Sequence, residues 1–129
     1  MAPEKSQGQI KKLLMSHGGS EMTTASRFDP PMEGFQAKLI LDGKPYLMRL
    51  AVPIRVKANA KSQDQEVRRV WRVLYHHMKS VFEAADSGVI ELREMILPFL
   101  VTESGRTVGK IILEDLDNKL TAPVRGLLE

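Results

Sequence analysis

Residues 35–52 read FQAKLILDGKPYLMRLAV, and this stretch decides the fold. Phe35, Ala37, Leu39 and Leu41 alternate with polar or mixed residues, Asp42-Gly43 intervenes, and Tyr46, Met48, Leu50 and Val52 alternate in their turn. An Asp-Gly pair between two alternating runs is a strong local signal for a β-hairpin. A two-residue turn pairs Leu41 with Lys44, hence Leu39 with Tyr46, Ala37 with Met48 and Phe35 with Leu50. Both apolar sets then fall on one face, so the turn and the alternation select the same register.

The prolines constrain what lies beside this hairpin. In that register the Pro45 nitrogen points away from the first strand, where it has no hydrogen to offer a third one. The run Ile96 to Thr102 also reads as a strand and carries Pro98 near its start. The stretch without proline is 35–41, which is therefore expected in the centre, giving the order 45–52, 35–41, 96–102 in a mainly antiparallel sheet.

Between these runs Val67, Val70, Trp71, Leu74, Met78, Val81, Phe82 and Ala85 recur at i, i+3, i+4 and i+7. That spacing predicts one long amphipathic helix over 64–87, with Ser62 or Asp64 as N-cap and Gly88 just past its end. A short helical turn at Ile90 to Met95 is a further expectation. Val108, Ile111, Ile112, Leu116 and Leu120 predict a C-terminal helix over 107–120, capped by Thr107 and ended by Pro123 and Gly126. Helices laid over the apolar face of the sheet make a small two-layer α+β domain.

The expected organisation is a flexible basic tail over 1–34, one domain over 35–122 and a C-terminal tail over 123–129. The stretch from His17 to Met32 is polar, turn-forming and without period, and Ile10, Leu13 and Leu14 alone support only a turn or two of helix. A 24-residue helix is about 36 Å long, whereas a seven-residue strand spans roughly 23 Å. The C-terminal helix or a second copy of the chain, as a homodimer, would cover that overhang.

Composition excludes several classes. The 129 residues contain no cysteine, which removes disulfides, thiolate metal sites and cysteine nucleophiles. The longest largely apolar run, Met95 to Val101, is far short of the roughly 20 residues of a membrane span, so no membrane association is expected. No secretory leader is read at the N-terminus, and the cytoplasm is the expected compartment. The net charge of +3 conceals an asymmetry: residues 1–80 carry 14 Lys and Arg against seven acids, and residues 81–129 carry five against nine.

The positive charge gathers on the long helix and before it. Arg68, Arg69, Arg72, His76 and Lys79 fall in one sector of about 100°, with Glu83 as the acid among them. Arg55, Lys57 and Lys61 precede the helix, and Lys38, Lys44 and Arg49 lie on or near the hairpin. A basic stripe of this kind suits phosphate-backbone contact with DNA or structured RNA. Only Tyr75 borders the sector, so base stacking on single strands is not expected. Gly105-Arg106-Thr107-Val108-Gly109-Lys110 has one residue too few between its glycines for a Walker loop, and Ile111 follows the lysine. What survives there is a lesser anion site at Arg106 and Thr107, at the entry of a helix.

Catalysis finds no such support. His76 and His77 are adjacent on a helix and point about 100° apart, unlike the i, i+4 pair that holds a metal. Glu91 with Glu94, and Glu114 with Asp115 and Asp117, lack a calcium-loop or two-metal signature. No metal, no cofactor and no enzymatic activity is expected. The sequence thus reads as a binding protein for nucleic acid or another polyanion through Arg55, Lys57, Lys61, Arg68, Arg69, Arg72 and Lys79. The rival reading is a protein-binding accessory subunit that uses its tail, edge strands and overhanging helix.

Overall fold

A computed structural model describes residues 2–119. In chain order the elements are α1 (Pro3–Ser16), β1 (Gly19–Phe28), β2 (Pro31–Leu41), β3 (Lys44–Pro53), α2 (Ala60–Asp86), α3 (Leu92–Ile96), a 3-10 turn (Leu97–Phe99) and α4 (Val108–Lys119). The strands form one antiparallel sheet in the order β1-β2-β3. The chain is the small α+β domain that the periodicities imply.

The hairpin has the register set by its turn. Leu41 faces Lys44, Leu39 faces Tyr46, Ala37 faces Met48 and Phe35 faces Leu50. Asp42 and Gly43 both take positive φ, 52° and 76°, the mirror-image turn that matches strand twist and that glycine adopts without strain. Phe35, Ala37, Leu39, Met48 and Leu50 are buried on the inner face beneath Val70, Trp71, Leu74, Met78, Val81 and Phe82 of α2. That helix begins at Asn59, not at Ser62 or Asp64: the Asn59 side chain accepts the Ser62 backbone N–H at 2.9 Å.

Two expectations are corrected. Residues 3–28 are not a tail, because they form α1 and β1. Ile10 and Leu14 of α1 are core residues, and β1 pairs with β2 along its length. β1 is almost entirely exposed on both faces, so it has no apolar alternation; its pairing to β2 rests on backbone hydrogen bonds. The second correction concerns 96–102, which is not the third strand. Ile96 closes α3, and Pro98 sits in the first turn of the 3-10 segment, where its missing N–H costs nothing. Only Leu100 and Val101 are bridged, Leu100 to Met48 and Val101 to Thr107, and they lie on the β3 side of the sheet.

The central place of 35–41 and the edge place of 45–52 are as expected, with 19–28 on the other flank. The 27 residues of α2 span about 40 Å and the 11 residues of β2 about 36 Å, so the expected overhang is absent. α4 packs on the 3-10 turn. Residue 120 and the expected tail over 123–129 lie outside the described residues. No described helix is long and apolar enough to cross a membrane.

Candidate functional site

The connection from β3 to α2 is pinned before the basic residues reach solvent. Ile54 is buried, and the Gln63 side chain bridges backwards, accepting the Lys57 backbone N–H at 2.9 Å and donating to the Arg55 carbonyl at 3.2 Å. The backbone at Arg55 and Lys57 is thereby held against the first turns of α2, and both residues are exposed.

The structure divides the basic residues into two groups. Glu66, only 6% exposed, takes Arg69 through its Oε1, with Nε donating at 3.0 Å and Nη2 closer still, and it takes Lys57 at 3.5 Å through Oε2. The Arg69 hydrogen bond, assisted by the charges of Arg69 and Lys57, holds the Glu66 carboxyl below the usual carboxylate range against the opposing effect of burial. Lys57 and Arg69 are therefore structural partners of a buried acid. The sign of this was present in sequence, since Glu66 lies three residues before Arg69, a spacing at which side chains meet.

Arg55, Lys61, Arg68 and Arg72 are exposed and make no ion pair among the described residues. Lys79 faces Glu83 at 4.0 Å, an exposed pair of small energetic weight. At 100° and 1.5 Å per residue, Lys61, Arg68, Arg72 and Lys79 lie within about 40° of one line along α2, over about 27 Å. Asp64 and Glu83 flank that line, and Asp86 lies on its continuation beyond Lys79. The sheet residues Lys38 and Lys44 are exposed apart from it, and Arg49 is engaged with the Gly105 carbonyl and Gln36.

At the loop before α4, Arg106 is ion-paired with Glu114, and the Thr107 hydroxyl accepts the Lys110 backbone N–H at 3.3 Å. Both groups are used in capping and steadying α4. His76 is near Tyr75, whereas His77 meets the edge of Phe99, so the two imidazoles have separate surroundings. Among the described residues no three His, Cys, Asp or Glu side chains come together as metal ligands.

A second kind of surface was not legible as such. Leu97, Pro98, Val108, Ile112 and Leu113 line an apolar groove of about 310 Å³ where α4 crosses the 3-10 turn, and Leu113 is 64% exposed. Its spacing resembled an ordinary core-facing helix, and only the placement of α4 at the periphery leaves it open. No family model, curated protein or solved structure matches this chain.

Proposed function

We infer that the protein is a non-enzymatic binding protein of the cytoplasm that holds a nucleic-acid duplex, or structured RNA of similar charge density, through phosphate groups along the exposed face of α2. The observation that carries this reading is the line Lys61, Arg68, Arg72 and Lys79, whose first three cations have no ionic partner among the described residues. Cations about 6 to 10 Å apart on a rigid helix can follow a phosphodiester backbone without reading bases. Arg55, fixed by Gln63, extends the positive surface at one end. Tyr75 is half-buried, which favours charge and shape recognition over stacking on single strands.

The test is anisotropy with a labelled duplex. Four phosphate contacts imply a loss of affinity of about 100-fold between 50 and 200 mM salt. Arg68→Glu with Arg72→Glu should abolish binding while the unfolding transition is unchanged, since neither side chain is packed. Absence of binding at 50 mM salt overturns the reading. The open groove at Leu97, Ile112 and Leu113 favours the second reading, a protein-binding accessory subunit, which pull-down with and without Leu113→Asp separates from the first.

A further inference from the structure

Between the β1–β2 turn and the start of α2 lies a cavity of about 450 Å³, distant in purpose from the basic stripe and different in chemistry. Its walls mix polar groups with an apolar part: Ile54 and Val67 are tucked against the domain, while Phe28 and Val56 are 90% and 78% exposed at its mouth. Its charge is acidic. Asp29 and Asp64 stand on it, and Glu33, only 9% exposed, lines it from β2. The cation at this cavity, Arg27, is turned to its own hairpin, donating to the Pro30 carbonyl at 3.1 Å and to the Met32 sulfur at 2.7 Å.

Glu33 is the informative residue. Its Oε1 accepts the Trp71 indole N–H at 3.2 Å, and its second oxygen has no hydrogen-bond or ionic partner among the described residues. The second oxygen is open to solvent although the rest of the side chain is buried, so a cation can reach it, whereas the indole alone would be served by a neutral acceptor. An acid here, with one oxygen open beside the apolar part of the cavity, is an arrangement that suits an ammonium group attached to an apolar body. The volume is in the range of small-molecule sites, about 300 to 1,000 Å³.

We propose that this cavity binds a small organic cation, its ammonium group on the free oxygen of Glu33 and its apolar portion between Phe28, Val56 and Val67. Desolvated charge-assisted hydrogen bonding to Glu33 supplies selectivity, and covering Phe28 and Val56 supplies affinity. Asp29 and Asp64 raise the local concentration of cations at the entrance. The site adjoins the Arg55 end of the phosphate-binding surface through Val56 and Gln63, but neither reading needs the other.

Trp71, the single tryptophan of the chain, is hydrogen-bonded to the residue in question and serves as the reporter. Benzylammonium is titrated while Trp71 emission and amide shifts near Glu33, Ile54 and Val67 are followed, with benzyl alcohol as the uncharged counterpart. A saturable response is expected, with the alcohol at least tenfold weaker. Glu33→Gln retains an acceptor for Trp71 and should erase the difference between amine and alcohol. Val67→Phe fills the cavity and should block the amine, which covers the case in which Glu33→Gln does not fold. The proposal is overturned by no saturable response, by equal binding of the two probes, or by a Glu33→Gln protein that still prefers the amine. Saturation by a lysine-containing peptide but not by benzylammonium also overturns it, by making the cavity a protein-docking site.

Discussion

The imidazole of His17 lies face to face with the ring of Phe82, centroids 4.1 Å apart and planes 19° from parallel. At the same time Nδ1 lies 2.7 Å from the Leu13 carbonyl oxygen and Nε2 lies 2.9 Å from the Asp86 carboxylate. One residue thus finishes α1 and fastens it to the last turns of α2. His17→Ala removes a stacked aromatic pair and the polar contacts to Leu13 and Asp86, and is expected to destabilise the fold by about 2 kcal/mol. Chemical denaturation measures this, and amide exchange should show the loss concentrated in α1.

Removing residues 2–28 deletes Ile10 and Leu14 from the core and leaves β2 with an unpaired edge. Deleting a single buried side chain of this size costs about 2 to 5 kcal/mol. The remaining chain from residue 29 onward should therefore show no cooperative unfolding transition by circular dichroism. A cooperative transition in that fragment would mean that the sheet needs neither α1 nor β1.

The pH dependence of stability should carry the mark of Glu66. Its carboxyl titrates below the ordinary 4.5 when folded, because Arg69 and Lys57 favour the charged form. The folded state then binds fewer protons than the unfolded one around that pH. The stabilisation is complete above about pH 4.5 and is lost as pH falls through the lower, folded value. Urea denaturation of the native protein and of Glu66→Gln should show a constant gap from pH 7 to 5 that narrows below pH 4.5.

Gly34 occupies the middle of the sheet, facing Ala25 on one side and Ala51 on the other. A Cβ at this position would stand 2.3 Å from the Leu50 carbonyl oxygen and 2.7 Å from the Ala51 Cα. Both are backbone atoms, so the strands must part to accept it. Gly34→Ala is expected to cost about 2 to 3 kcal/mol, as overpacking does in rigid cores, read as a lower midpoint in urea.

What could be read from the sequence follows from what each element buries. The 35–52 hairpin and α2 are anchored by continuous apolar periodicities, and both are where those periodicities put them. α1 contributes only Ser6, Ile10 and Leu14 as buried residues, too little signal for a helix that is stable only when docked on α2. β1 buries almost nothing, and its sequence records the pairing only through the β-tolerant Thr23 and Thr24. The apolar run at 96–102 misleads because its side chains pack while its backbone turns. The basic residues were individually visible. That Glu66 would claim Lys57 and Arg69 and leave Lys61, Arg68 and Arg72 free depends on the fold and on burial of that one acid.

Because α4 meets the rest of the described chain chiefly through the 3-10 turn, it is expected to open before the sheet and α2 do. Trp71 is fully buried in the core between α2 and the sheet. An unfolding curve followed by tryptophan emission will accordingly miss the release of α4, while helicity falls earlier and in a shallower step. The two midpoints should differ, and a single free energy fitted to either would describe only part of the molecule.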